Sequence, residues 1–256
     1  MDVLKLVVAL VVLGVLSGAL VVMLQSGLES GCVATLSVHG GISLDGANDL
    51  FSSEPSARSI VNQIHGWQDS ASPVLFLDVN SPGGSAVASQ EIFEALRESD
   101  KPTVAYLGEV AASGGYYVAA GTDKIVAHPD TITGSIGAVA DVTNYADLLD
   151  KLGVRQFSIK SGELKDIGAP YRNMTDAEKT LLQELIDETA GNFRSDVETA
   201  RDGKLTPAYN VTRDARILSA KQALSAGLVD EIGSRAVALK RAAELGNLSF
   251  DGRVPE

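Results

Sequence analysis

The sequence predicts an α/β domain with a largely parallel sheet, preceded by one membrane-spanning helix. Short strands rich in β-branched residues alternate with helical patterns, and glycine-rich turns follow two of these strands. Residues 6–24 form an uncharged apolar run. No internal repeat or low-complexity linker divides the remainder. We therefore expect a membrane anchor over residues 1–28 and a single domain over residues 29–256.

The amino-terminal run has the length of a membrane span. Its 19 residues, LVVALVVLGVLSGALVVML, contain no charge. A helix of this length extends about 28 Å, close to the hydrocarbon thickness of a bilayer. The apolar core of a cleavable signal peptide is shorter, about 7–15 residues, which favours an uncleaved anchor. Lys5 precedes the run and Glu29 follows it, so the positive-inside rule predicts a single-pass protein of the cell membrane with an extracytoplasmic domain.

Periodicity and turn residues predict the elements of the domain in order. Strands are expected at residues 33–38, 74–79, 103–107, 124–127 and 156–159. Helices are expected at residues 48–67 with a break near Pro55, then at 87–97, 116–120, 175–200 and 219–226. Thr175 and Glu178 have the spacing of a capping box. The predicted 175–200 helix has apolar residues at helical spacing, namely Leu181, Leu182, Leu185, Ile186, Ala190 and Phe193.

Charge and composition exclude several classes of function. The formal net charge of −12 leaves no basic face for nucleic acid. Cys32 is the single cysteine, so no internal disulfide forms, and residues 28–32 make only a weak lipobox. The histidines, His39, His65 and His128, are scattered without metal-ligand spacing. We expect neither a metal nor another cofactor.

Two glycine-rich junctions follow predicted strands, at residues 80–84 (NSPGG) and 108–115 (GEVAASGG). Open α/β sheets bind their ligands at the carboxyl ends of the strands. Ser113 precedes two glycines and a predicted helix, where free N–H groups can stabilise a developing oxyanion. The same pattern also fits a tight turn with a capping serine. It is not a Gly-x-Ser-x-Gly elbow, because Ala111 replaces the first glycine.

A nucleophilic serine needs a base, and two residues are candidates. His128, oriented by Asp130 or Asp123, would complete a triad, although it lies in a predicted turn. Lys165 lies in a predicted loop, residues 161–168 (SGELKDIG). A lysine acts as a base only when neutral, which requires burial or a neighbouring positive charge. The residue types alone leave the choice open.

Four motifs, in this order, resemble the signal peptide peptidase A family of Ser–Lys proteases in its short, single-repeat form. They are NSPGG at 80–84, AASGGYY at 111–117, TITGSIG at 131–137 and GELKDIG at 162–168. The resemblance spans residues 33–245 and implies a Clp-protease/crotonase-like fold with βαβ units. It implies Ser113 as the nucleophile, Lys165 as the general base and Ser135 as the partner of the lysine amine. It also implies an oxyanion hole formed by the backbone N–H groups of Gly84 and Gly114.

The resemblance further implies a membrane-anchored serine endopeptidase that degrades residual signal peptides and unfolded apolar segments. Family members form homo-oligomers whose active sites are built by adjacent subunits, so Ser113 and Lys165 are expected to come from different chains in such an assembly. The alternatives are a protease specific for a membrane-associated partner protein, a crotonase-like acyl-CoA enzyme and a non-catalytic scaffold. The crotonase alternative gives no reason for a serine at position 113 together with a lysine at position 165.

Overall fold

The computed structural model describes residues 32–46 and 56–250, together with the backbone of residues 48–49 and 52–53. The predicted anchor over residues 6–24 lies outside these ranges. Within the described ranges, no helix combines the length and the apolar character needed to cross a bilayer.

A largely parallel sheet forms the centre of the domain. Its strands are β1 (Val33–Ile42), β4 (Val74–Gly84), β5 (Thr103–Ala112), β6 (Lys124–Ala127), β7 (Ile132–Gly134), β8 (Ile217–Ser219) and β9 (Glu231–Ile232). Strands β1, β4, β5, β6 and β9 are neighbours in that order, and every pair is parallel. The distal half of β5 pairs with β7, which continues antiparallel to β8. The short strands β2 (Asn48–Asp49) and β3 (Ser52–Ser53) form a separate antiparallel pair.

Helices cover both faces of the sheet. They are α1 (Ala57–Gln68), α2 (Ala86–Arg97), α3 (Gly114–Ala120), α4 (Ala146–Leu152), α5 (Asp176–Ala200), α6 (Ala220–Ala226) and α7 (Arg235–Leu245), with 3-10 helices at Glu163–Asp166 and Pro207–Thr212. Alternation along β4 divides the core, since successive side chains of a strand point to opposite faces. Leu75 and Leu77 join the larger core with α1, α2 and α3, whereas Val74 and Phe76 pack against α7. The predicted α/β domain with a parallel sheet and βαβ units is therefore confirmed.

Most predicted elements are present, and the capping box predicted for the 175–200 helix is confirmed. Thr175 and Glu178 form the capping box of α5. Gly227 ends α6 in the left-handed conformation. Strands β4 and β5 continue through residues expected to form turns, to Gly84 and Ala112. This extension places both glycine-rich segments at the carboxyl edge of the sheet.

Two expectations about the elements were wrong. The helix expected from residue 48 begins only at Ala57, because the Ser56 side chain caps it there by accepting the Ser59 N–H. Residues 156–159 form no strand, since no neighbouring strand pairs with them and their side chains are exposed. Of the six apolar positions that define the helical pattern of α5, only Phe193 is buried. Most of the length of α5 extends beyond the core.

Candidate active site

The two glycines that end β4 lie directly against Ser113 and Gly114. Gly83 has a φ of 106°, which favours glycine. A Cβ atom on Gly83 would lie 2.8 Å from the Ser113 Cβ and 2.7 Å from the Gly114 nitrogen. A Cβ atom on Gly84 would lie 2.1 Å from the carbonyl oxygen of Ile42. Only glycine therefore allows this turn to approach the candidate nucleophile so closely.

Ser113 follows β5 directly and begins α3 in a strained conformation. Its φ is 53° and its ψ is −126°. Its N–H donates to the Gly134 carbonyl at 2.9 Å, and its own carbonyl accepts the Tyr117 N–H at 2.9 Å. Ser135 also has a positive φ, 54°, and its N–H donates to the Arg216 carbonyl at 2.9 Å. Main-chain hydrogen bonds thus hold both serines in place.

Backbone strain is concentrated at this place in the fold. In the described part of the chain, a positive φ occurs at four residues other than glycine, namely Ser113, Ser135, Ala215 and Asn247. The first three line the same cleft. Such conformations cost about 1–3 kcal/mol each and cluster at functional sites, where the surrounding structure enforces them.

The cleft has a volume of about 490 Å³. Its floor contains Ser113, Gly114 and Ser135, with Gly84 beside them. Its walls are mostly small or apolar, and are formed by Ser85, Ala86, Tyr117, Gly137, Ala138, Val139, Ile186, Thr189, Phe193 and Ala215. The structure therefore brings together the four main-chain and serine candidates that the sequence analysis singled out.

Tyr117 and α5 form a rigid wall that the sequence analysis did not identify as part of the site. The Tyr117 ring stacks on Phe193 with ring centroids 4.1 Å apart, and its hydroxyl donates to Asp196. Burial and the hydrogen bond to Asp196 raise the pKa of Tyr117, so the phenol stays protonated as a donor. The apolar pattern of the predicted 175–200 helix, which includes Ile186 and Phe193, is the sequence signal that could have identified this wall.

The two candidate bases lie elsewhere in the single chain. Lys165 is exposed on the 3-10 helix and is not among the residues that line the cleft. His128 lines a separate groove together with His39 and Asp78. Its Nδ1 accepts the Asp130 N–H at 3.2 Å. Neither base contacts Ser113 within one chain.

A charged network holds the base of the segment that carries Lys165. Arg172 donates to the carboxylates of Asp166 and Glu178, and Lys160 lies 2.6 Å from Asp166. The bonds from Arg172 and then Lys160 hold the pKa of Asp166 well below its usual range. The bonds from Arg172 and then the Thr175 N–H lower the pKa of Glu178 to about 2. The residue next to Lys165 is thus anchored to the first turn of α5.

Comparison with known proteins assigns a family. Residues 95–249 match peptidase family S49. A protein of Methanocaldococcus jannaschii named as a protease is 41% identical over 197 residues, which cover 75% of this chain and 63% of the relative. A protein of Enterococcus faecium named signal peptide peptidase SppA is 38% identical, with 82% of this chain and 62% of the relative covered. Protease 4 of Haemophilus influenzae is 31% identical, and the match covers 88% of this chain and 36% of the relative.

The chain spans about three fifths of the length of the first two of these relatives. The family match includes Ser113, Ser135 and Lys165, and relatives from an archaeon and from bacteria carry protease names. The resemblance inferred from the four sequence motifs is thereby confirmed. This chain belongs to peptidase family S49.

Proposed function

We propose that this protein is a serine endopeptidase in which Ser113 is the nucleophile and Lys165 is the general base. The observation that carries the proposal is the strained Ser113, held against the Gly83–Gly84 turn on the floor of a cleft with apolar walls. We also assign the Clp-protease/crotonase-like fold to the domain, on the support of its parallel sheet and its family.

The arrangement supports acyl transfer. The Ser113 hydroxyl attacks a substrate carbonyl while the neutral Lys165 amine accepts its proton. The N–H groups of Gly84 and Gly114 donate to the oxygen that becomes negative. Lys165 then returns the proton to the leaving amine, and a water activated by the same amine hydrolyses the acyl-enzyme. Ser135, on the same floor as Ser113, hydrogen-bonds the lysine amine.

The dyad is assembled between two copies of the chain. Lys165 ends a segment, residues 141–165, in which no residue is buried. Phe157 and Ile159 in this segment are 78% and 96% exposed. Apolar side chains so exposed mark an interaction surface. A second copy of the chain covers this segment, and the segment in turn supplies Lys165 to the cleft of that copy.

The cleft favours extended apolar peptides. Its walls offer alanine, valine, isoleucine and aromatic side chains. The segment of residues 138–145 beside Ser135 forms no helix or strand. Remnants of signal peptides and unfolded apolar segments have the matching chemistry, and the Enterococcus faecium relative is named for that class of substrate. We therefore include signal peptide remnants in the proposed function.

A membrane anchor would bring the enzyme to such substrates. Residues 25–32 separate the apolar run from the first residue of β1. This spacing keeps the domain close to the bilayer surface, with the domain on the extracytoplasmic side. Fractionation of membranes and protease accessibility in intact cells test the anchor and its orientation, since a cytosolic fraction or protection of the domain would contradict them.

Mixing two inactive variants tests the function and the pairing between chains together. Full-length Ser113→Ala and Lys165→Ala should each lose at least about 1,000-fold in cleavage of an apolar peptide, because each lacks one partner of the dyad. When the two are co-expressed in equal amounts, about a quarter of the sites should contain both intact residues. Activity near a quarter of the wild-type value is the expected result.

The control is His128→Ala, which should keep full activity because His128 lies in the separate groove. No recovery in the mixture would place Ser113 and Lys165 in the same chain. Loss of activity in His128→Ala together with full activity in Lys165→Ala would show that His128, not Lys165, is the general base. A wild type that cleaves no peptide would refute the peptidase function itself.

A further inference from the structure

The β1–β4 pair contains a bulge directly before the Gly83–Gly84 turn. Pairing that is regular up to Asn80 resumes at Gly83, so Ser81 and Pro82 on β4 face only Gly40 on β1. A bulge of this kind interrupts the hydrogen-bond ladder and redirects the chain. Pro82 has no N–H to contribute to the ladder. Some other group must therefore satisfy the main chain at this point.

The side chain of Ser81 is that group. Its hydroxyl donates to the Gly40 carbonyl at 2.6 Å and accepts the Gly83 N–H at 3.1 Å. The residue is completely buried. Its own carbonyl oxygen lies against α3, 2.5 Å from the position that a Cβ atom on Gly115 would take. Ser81 thus contacts β1, the glycine turn and the helix that begins after Ser113.

We propose that Ser81 is a positioning residue for catalysis: its hydroxyl holds the Gly83–Gly84 turn in the place where the Gly84 N–H serves the oxyanion hole. The inference rests on the proposed function of Ser113. Without the hydroxyl, the Gly83 N–H would be buried without a partner, and the Gly40 carbonyl, which lies at a more exposed position, would lose its bond to β4. A small movement of the turn would relieve this, because glycines offer little resistance to a change of backbone conformation.

A second buried serine provides a matched control. Ser72 also ties β1 to the chain around β4, by donating to the Cys32 carbonyl at 2.7 Å and accepting the Ala34 N–H at 3.0 Å. It is 8% exposed. It lies nine residues before Ser81, at the opposite end of the same strand pair, a separation of roughly 25–30 Å. Ser72→Ala therefore removes equivalent hydrogen bonds without disturbing the glycine turn.

The experiment compares full-length wild type, Ser81→Ala and Ser72→Ala in peptide cleavage and in thermal unfolding. Ser81→Ala should lower kcat about 10- to 100-fold with KM within about twofold, since oxyanion contacts form mainly in the transition state. Ser72→Ala should lower the melting temperature by a similar amount and leave kcat unchanged. A peptide aldehyde, whose adduct with Ser113 places an oxyanion in the hole, should bind Ser81→Ala about 10- to 100-fold more weakly. The corresponding peptide alcohol should bind both variants equally.

Equal losses of kcat in the two variants, or an unchanged affinity of Ser81→Ala for the aldehyde, would reduce Ser81 to a structural role. Ser81→Cys keeps the approximate size of the side chain and has only a weak donor and acceptor. If Ser81→Ala does not fold, Ser81→Cys should show the same selective loss of kcat, and normal kcat there would overturn the inference. An inactive wild type would instead contradict the proposed function, which separates the two failures.

Discussion

The floor of the cleft and the segment that carries Lys165 are built in opposite ways. On the floor, Gly83 and Gly84 press against Ser113 and Gly114 so closely that no methyl group fits between them. Residues 141–165 contain no buried residue, and a network of ion pairs centred on Asp166 adjoins the end of the segment that carries Lys165. A strained main chain persists only where its surroundings enforce it. An exposed apolar segment gains stability only when another surface covers it.

This difference separates two tasks of a Ser–Lys enzyme under the proposed mechanism. In the proposed enzyme, the oxyanion donors and the nucleophile are preorganised within one chain and require no assembly. The base lies on a segment whose apolar residues are not covered by the part of the chain that the structure describes. If a second copy supplies the base, as we propose, a dissociated chain is inactive, which suits an enzyme that cleaves unfolded peptides near a membrane.

Adding one methyl group to each region should produce the largest contrast. Gly84→Ala places a Cβ 2.1 Å from the Ile42 oxygen, so activity should become undetectable and stability should fall by on the order of 3 kcal/mol or more. Gly153→Ala, at the end of α4, has a left-handed φ of 69° and meets nothing within 4 Å. Gly153→Ala should therefore lower the free energy of unfolding by about 1 kcal/mol. Chemical denaturation measures the stability of the two variants, and peptide cleavage measures their activity. Equal losses in Gly84→Ala and Gly153→Ala would contradict the contrast between the two regions.

Making the exposed segment polar should abolish activity without unfolding the chain. Phe157→Ser combined with Ile159→Ser removes apolar side chains that make no contribution to the core of the single chain. Light scattering should show that the double variant is dissociated, and its isolated chain should keep an unchanged melting temperature. Peptide cleavage should fall at least about 100-fold. Val211→Ser, an exposed apolar position on the 3-10 helix Pro207–Thr212, is the control and should remain assembled and active. Full activity in the double variant would show that the exposed segment is not needed for an active assembly.

The smallest expected effect concerns the anchor of the same segment. Arg172→Gln should lower kcat roughly tenfold, because Asp166 beside Lys165 loses its link to Glu178. The hydrogen bonds from Arg172 and then from the Thr175 N–H lower the pKa of Glu178 from its ordinary value of 4.5 to about 2. The contribution of ionised Glu178 to the stability of the fold is therefore complete above about pH 4.5 in the wild type, and it is lost as the pH falls towards 2.

Amide hydrogen exchange over residues 160–178 follows this transition. Protection should fall between pH 4.5 and 2 in the wild type, and this dependence should weaken in Arg172→Gln, where the Thr175 N–H still donates to Glu178. Arg155→Gln is the control, because it removes an exposed ion pair with Asp150 in the same segment. Its exchange protection should depend on pH as in the wild type. An identical pH profile in Arg172→Gln would show that the network does not hold the segment.

Local signals were sufficient for much of the fold. The buried strands at residues 74–79 and 103–107 and the capping residues of α5 were identified because periodicity and capping act over a few neighbouring residues. The helix expected from residue 48 and the strand expected at residues 156–159 were wrong for a related reason. Apolar content predicts burial, whereas burial depends on what packs against a segment in space, and the described part of the chain leaves residues 156–159 exposed.

By itself, the amino-acid sequence determined the α/β class, the family and the identity of the four motifs, because each of these depends on residue types at short spacing. Only the tertiary structure decided that the segments at residues 80–84, 111–117 and 131–137 meet in one cleft, that the fourth lies outside it, and that Ser81 bridges the bulge before the glycine turn. The physical reason is register. Pairing Gly40 against two residues of β4 is a property of two strands together, and no local pattern along either strand specifies it.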